Sequence, residues 1–283
     1  MEVMNGKEAE MYYSFSILRK FSPVAFSFNT TCIGASHVKE KKPCQDFSAS
    51  ISNPKYAIAA VADGHGGEEY FRSARGARFA VESAMSCIEE FLLTNDNLLN
   101  NVDEALKALE ASILISWHEK ILNDIKKNSV KIEQKCRDFF SPYGTTMIAA
   151  AFTRFNWFAI QIGDGKCVVI NNDKSVSQPI PWDERCLLNQ TTSLCNEEAG
   201  GNFRHFYSKE KPLAVFLGSD GIDDSFPVNK NEEYLASFYQ GIYNNFEKES
   251  FKKGAKQLHK MLPFFTKKGS GDDVSIAGII SKK

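Results

Sequence analysis

Aspartate recurs in this 283-residue chain where an apolar run ends and a small residue follows. Asp63 closes the run 57–62 and precedes Gly64-His65-Gly66-Gly67. Asp164 closes 157–162, Asp220 follows 213–219, and Gly269-Ser270-Gly271-Asp272-Asp273 leads into the apolar stretch 274–280. Asp46 stands just before the strand-like segment 47–51. Taken one at a time, Asp-Gly is a turn signal, because aspartate hydrogen-bonds its own backbone and glycine accepts positive φ. Asp164-Gly165 reads as such a turn, joining two strands of a hairpin. Turn chemistry does not account for carboxylates repeated at the ends of deeply buried strands. Brought together there, they repel one another unless cations lie between them. Oxygen ligands with little sulfur or imidazole suit Mg²⁺ or Mn²⁺, and neighbouring glycines let carbonyls and water approach closely.

The elements that must place these residues are visible in the apolar periodicity. Tyr70, Ala74, Ala77, Val81, Ala84, Ile88 and Phe91 recur at threes and fours and predict a helix with one buried face. Leu106, Leu109, Ile113, Trp117, Ile121 and Ile125 predict a second helix beginning near Asp103. The polar break Thr94-Asn95-Asp96-Asn97 makes the two an antiparallel helix hairpin. Further helices are expected over 232–246 and 249–262, the latter ended by Pro263. The runs 56–62 and 213–217 are apolar throughout and fit strands covered on both faces. Segments 145–152, 157–162 and 166–170 are joined by turns too short for a parallel crossover, which predicts antiparallel hairpins. The fold class is therefore α+β, a layered sandwich with helices covering sheet faces. Residues 183–210 read as one long polar loop, of the kind that is functional or mobile in a compact domain.

Composition removes several classes of function. Lys+Arg number 34 and Asp+Glu 35, a net charge of −1 that argues against a nucleic-acid or anionic-membrane coat. A content of 43% hydrophobic and 12% aromatic residues furnishes a core and excludes wholesale disorder. No apolar stretch approaches the ~18 residues of a membrane span. Arg19 and Lys20 interrupt the aromatic N-terminal segment, and no small-residue cleavage site follows, so no export signal is read. The seven cysteines are odd in number, scattered and free of any C-x-x-C pair, which argues against a zinc site or disulfide framework. A reducing cytoplasm is the expected location.

Five motifs occur in one order: Val61-Ala62-Asp63-Gly64-His65-Gly66-Gly67, Tyr143-Gly144-Thr145-Thr146, Gly163-Asp164-Gly165, Gly218-Ser219-Asp220-Gly221-Ile222-Asp223-Asp224 and Gly269-Ser270-Gly271-Asp272-Asp273. Together they resemble the metal-dependent type 2C Ser/Thr protein phosphatases, of the compact single-domain kind found in bacteria, over about residues 34–280. The resemblance implies a four-layer α-β-β-α sandwich of two mainly antiparallel sheets flanked by helix pairs. It implies a catalytic domain over 26–283, with a flap beside the active site at 183–210 and an N-terminal extension over 1–25. That extension would be an extra strand, a packing helix or a docking arm.

The same resemblance implies hydrolysis of phosphoserine and phosphothreonine by water bridging two Mn²⁺ or Mg²⁺ ions. Asp63 would bridge both ions, the Gly64 carbonyl would bind one, and Asp220 and Asp272 would complete the protein ligands. Asp46 would orient coordinated waters from behind, Asp164 and Asp224 would hold a weaker third ion, and His65 would protonate the leaving alkoxide. Gln45 stands where the family has an acidic residue, and Lys41 and Lys42 stand where it has a phosphate-gripping arginine. Gln45, Lys41 and Lys42 are accordingly the candidate substrate-binding residues, with looser grip on phosphate than a guanidinium fork provides. Asp273 stands where asparagine is common. The implied partner is a phosphorylated protein opposed by a Ser/Thr kinase, with no nucleic acid, no membrane and a monomeric state. These departures leave one alternative, a non-hydrolysing binding module of the same fold; a second, a phosphatase for small phosphate monoesters, stays open because nothing in the motifs fixes the leaving group. His37 reads as a surface-loop histidine, with an approach to phosphate as the alternative; His118, His205 and His259 read as structural or solvated; Cys44 reads as an inert thiol. The lysines from Lys252 to Lys268 read as a solvated helix face.

Overall fold

Alternate side chains of Tyr56–Ala62 point to opposite faces, and both faces are buried. Ile58, Ala60 and Ala62 pack with helical residues, whereas Ala57, Ala59 and Val61 pack against a second sheet. A segment covered on both sides belongs in the middle of a sandwich, and its small alanines allow the layers to approach. The computed structural model describes residues 12–15, 22–94, 101–132, 136–186 and 190–282.

The chain begins with β1 (Tyr12–Phe15), β2 (Ala25–Cys32), the short α1 (Ala35–Glu40), β3 (Phe47–Ser52) and β4 (Tyr56–Ala62). The long helices α2 (Ser73–Thr94) and α3 (Val102–Asn128) follow. The residues 95–97 expected to break them apart lie outside the described residues. Next come β5 (Met147–Thr153), β6 (Trp157–Ile162), β7 (Lys166–Ile170), β8 (Val176–Ser177), α4 (Ala199–Asn202) and β9 (Arg204–Ser208). The chain continues with β10 (Ala214–Gly218), α5 (Asp220–Asp223), α6 (Asn231–Lys248), α7 (Phe251–Lys268) and β11 (Val274–Ser281).

One sheet has the order β1-β2-β11-β10-β7-β8 and the other β3-β4-β5-β6-β9. Every strand pairing among the described residues is antiparallel. Ala77, Val81, Ala84, Ile113 and Trp117 of α2 and α3 cover the outer face of the five-stranded sheet. Leu235, Tyr239, Ile242, Leu258 and Leu262 of α6 and α7 cover the outer face of the other. The inner faces meet through Ala59, Ala150, Val215, Leu217 and Ala277. The architecture is the α-β-β-α sandwich. No helix among the described residues is long and apolar enough to cross a membrane.

Three local features differ from the sequence reading. Pro263 lies inside α7 rather than ending it. Continuation places Phe265 against Phe226 and Phe238, and Thr266 where its Oγ1 accepts the Ala35 N–H, which offsets the ~3 kcal/mol an interior proline costs. β6 and β7 do not form a hairpin: they belong to different sheets, and Gly163-Asp164-Gly165 carries the chain across the sandwich. Gly163, at φ 104°, takes a conformation that other residues resist. Gln161 Nε2 pins the crossing by donating to the carbonyls of Gly163 (3.1 Å) and Gly165 (2.6 Å). The end of the expected 183–210 loop is ordered as α4 and β9, the latter an edge strand paired with β6. In the N-terminal stretch, the extra strand, one of the three alternatives, is what residues 12–15 form: β1 extends the six-stranded sheet by pairing with β2.

Candidate active site

The strand ends converge on one end of the sandwich and enclose a cleft of about 740 Å³. Its walls carry Asp63 and Gly64 from the exit of β4, Asp164 from the sheet crossing, Asp220 and Asp224 from α5 and its end, and Asp272 from the approach to β11. Gln45 and His65 also line it. Asp46 lies behind this wall at 5% exposure, where Ser219 Oγ donates to its Oδ2 (2.8 Å). The Asp63 backbone is fixed from two sides. Its carbonyl accepts from Thr145 Oγ1 (2.7 Å) and the Thr146 N–H (2.8 Å), which gives the Thr-Thr motif its purpose. The His65 N–H donates to the Gly144 carbonyl (3.0 Å), its Nε2 is hydrogen-bonded to Ser193 Oγ (2.6 Å), and its ring meets Tyr70 edge-on.

Crowding these acids has an electrostatic cost. Burial, reinforced by the charges of Asp220 and Asp46, pushes Asp63 well above the usual carboxylate range. Burial and the charge of Asp273 do the same to Asp46. Asp220 is pushed up to about 7, first by burial and then by Asp164, Asp224 and Asp272. Asp46 Oδ1 and Asp220 Oδ1 are buried without a hydrogen-bond partner. Partnerless carboxylate oxygens in a crowded acidic wall are the donor set that hard divalent cations take, so these residues fit Mn²⁺ or Mg²⁺. His65 differs from the near-neutral imidazole expected of it: burial presses its pKa down to about 4.

The lysines expected to hold phosphate are not brought to the cleft. Lys41 is the left-handed C-cap of α1, and Lys42 turns to an exposed pair with Glu40 (2.7 Å). Neither is among the lining residues. Gln45 does line the cleft, but its Nε2 is committed to the His65 carbonyl (2.9 Å) and to Ser73 Oγ. Three residues outside the candidate site set also line these walls. Arg185 brings a guanidinium from the 183–210 segment, anchored on Asp183 (2.8 Å). Ser193, from the same segment, reaches His65. His37 sits in α1, not a surface loop, with its side chain 12% exposed and its Nδ1 on Asp273. The adjacency of Asp273 to Asp272 is the only trace of this arrangement in the sequence. Among the remaining histidines, His205 bridges Glu110 (2.7 Å) and Asp103 (3.0 Å), His118 stacks on Phe140, and His259 pairs with Thr30 (2.8 Å). Burial drives the Cys44 thiol pKa upward, away from the thiolate.

The chain is similar across its length to solved bacterial phosphatases. The Mycobacterium tuberculosis serine/threonine phosphatase PstP/Ppp matches at 13% identity and TM-score 0.56, over 96% of this chain and 99% of that one. The Staphylococcus aureus serine/threonine phosphatase Stp1 matches at 14% identity and TM-score 0.56, over 100% and 99%. A PstP catalytic domain solved with two manganese ions matches at 13% identity and TM-score 0.57, over 97% and 100%. At these identities the likeness concerns the fold. None of the curated proteins matches the chain. The sequence model of the protein phosphatase 2C family matches residues 33–263, most of the sequence, and this chain belongs to that family.

Proposed function

We propose that the cleft hydrolyses phosphoserine and phosphothreonine monoesters in proteins, with Asp63, Asp220, Asp272 and the Gly64 carbonyl holding a pair of Mn²⁺ or Mg²⁺ ions. The observation that carries this reading is the convergence of Asp63, Asp46, Asp220 and Asp272 from separate strand ends beside His65, with buried carboxylate oxygens left partnerless. Bound divalent ions supply activated water at neutral pH and neutralise phosphoryl charge. The chain's own residues do the rest. Asp46, through Ser219, steadies the wall behind the ligands, and Asp164 and Asp224 offer a third, weaker position. Arg185 meets the substrate phosphate from the 183–210 segment, in the role first given to Lys41 and Lys42. His65 is held neutral by burial, so in the proton-delivering role it would first take up a proton and then pass it to the leaving serine or threonine oxygen. The retained carboxylate set speaks against a merely binding role. A soluble monomer in the cytoplasm acting against a Ser/Thr kinase completes the proposal.

The test is phosphopeptide hydrolysis with added Mn²⁺ and with chelator; activity that persists in chelator overturns the metal reading. The proton assignment has its own signature. His65→Asn is expected to lower kcat on a phosphoserine peptide by about 10²-fold or more, because that alkoxide is a poor leaving group. Hydrolysis of p-nitrophenyl phosphate, whose leaving group needs no proton, falls far less. Equal losses on both substrates remove His65 from the proton-delivering role.

A further inference from the structure

We propose that His37 supplies a nitrogen ligand to the ion held by Asp272, making this centre a mixed imidazole–carboxylate site. The inference rests on the metal reading of the cleft and extends it to a residue outside the carboxylate set. α1 is bound closely to the 269–273 segment. The Gly34 N–H donates to Asp273 Oδ1 (2.6 Å), the Ala35 N–H to Thr266 Oγ1 (2.7 Å), and both the N–H and Oγ of Ser36 to the Gly271 carbonyl (2.9 and 2.7 Å). A Cβ at position 34 would lie 2.6–2.8 Å from the backbone of residues 271–273, so only glycine permits this approach. The docking brings His37 to the cleft wall beside Asp272 and Asp273.

The tautomer follows from Asp273. Its Oδ1 accepts the Gly34 N–H, and its Oδ2 accepts the Gln45 N–H (2.6 Å), as an ionised carboxylate does. His37 Nδ1, 3.0 Å from Oδ2, must therefore be the donor. Nε2 is left facing the cleft without a hydrogen bond, 3.8 Å from Asp272 Oδ1. A histidine whose inner nitrogen is fixed by a carboxylate presents its outer nitrogen as metal ligands do. The ligand atoms of His37, Asp272 and Asp273 lie within 4.8 Å of one another. Both oxygens of Asp273 are occupied, so it orients His37 and does not ligate. A second observation points to a cation here: Asp46, at only 5% exposure and next in the chain to Gln45, whose N–H meets Asp273, leaves Oδ1 partnerless. An imidazole in the set shifts preference from Mg²⁺ toward later first-row ions.

The test is Mn²⁺ titrated into the chelator-treated full chain, followed by calorimetry and pulsed electron paramagnetic resonance. Bound Mn²⁺ is expected to show nitrogen modulation that His37→Gln abolishes. The same substitution weakens Mn²⁺ binding about 10–100-fold and Mg²⁺ binding by less. Asp273→Asn, which removes the orienting carboxylate, moves both readouts in the same direction and carries the test should His37→Gln fail to fold. Mn²⁺ bound without nitrogen modulation, modulation that survives His37→Gln, or equal weakening of Mn²⁺ and Mg²⁺ overturns the inference while leaving the carboxylate site intact. Mn²⁺ affinity unchanged by Asp63→Asn removes the site reading, and the inference with it.

Discussion

Asp63→Asn is expected to lower Mn²⁺-dependent hydrolysis by about 10³-fold or more, the equivalent of ~4 kcal/mol of transition-state stabilisation. The substituted amide would keep the shape of the β4 exit but lose the charge that two ions would share. The loss should appear in kcat with every phosphate ester, p-nitrophenyl phosphate included, which separates it from a defect in proton delivery. The same substitution has an opposite effect on the metal-free fold. Burial and the charges of Asp220 and Asp46 raise the Asp63 pKa, so its ionised form destabilises the chelated protein at neutral pH. In chelator at pH 7, Asp63→Asn should therefore melt above the native chain. In saturating Mn²⁺ it should melt below, because the native chain alone gains the full binding energy. A variant that melts below the native chain in both conditions would refute this account of Asp63.

The second large effect lies away from the cleft. Asp124, on α3 and 4% exposed at its side chain, accepts hydrogen bonds from Tyr143 (2.7 Å), Arg75 (2.8 Å), Asn128 (2.7 Å) and Arg72. This carboxylate ties α2 and α3 to the turn that leads into Gly144. Asp124→Ala leaves the Tyr143 hydroxyl and the Arg72 guanidinium without their acceptor. The expected cost is about 3 kcal/mol, at the low end for a broken buried pair because Arg75 is half-exposed. For a domain of this size the melting temperature falls by roughly 6–12 °C. The pH dependence has a definite sign. Although burial pushes the other way, Tyr143 and Arg72 hold the Asp124 pKa below its ordinary value. Its stabilisation is therefore present above the unfolded carboxylate value of about 4 and is lost as pH falls below it. Melting curves of the two proteins should be well separated at pH 7 and draw together toward pH 3. A gap of constant size would mean that packing, not charge, is what Asp124 contributes.

Much of the site is legible in the sequence because its main acids adjoin apolar runs long enough to be buried strands. Asp63, Asp164 and Asp220 announce themselves in this way, and Asp272 does so by preceding one. The partners that tune the site are not legible, because they depend on how short, aperiodic segments dock. α1 has six residues, none of them buried, so nothing in its pattern shows that it lies on the 269–273 segment and carries His37 to the cleft. Lys41 and Lys42 are misleading for the converse reason. Their charge is plain in the sequence, but the left-handed cap and the Glu40 pair that turn them away are not. β9 is missed because its residues are all partly exposed and lack the alternation that marks a half-buried strand. Pro263 is misread because local propensity stops a helix there, whereas the packing of Phe265 and Thr266 carries it on.

The Gly163-Asp164-Gly165 crossing gives the cleft a mechanical character. Asp63 and Asp46 belong to the ends of the five-stranded sheet, and Asp220 and Asp272 to the ends of the six-stranded sheet. An ion shared among them, as proposed above, would work as a rivet through the seam of the sandwich. Residues in that seam, such as Ala59 and Leu217, touch no ligand, yet enlarging or trimming them would shift one half of the coordination sphere against the other. On that proposal, ion affinity would gauge how the two sheets are seated. Selection acting on metal use would have to act on the alanines between the sheets as well as on the aspartates at their ends.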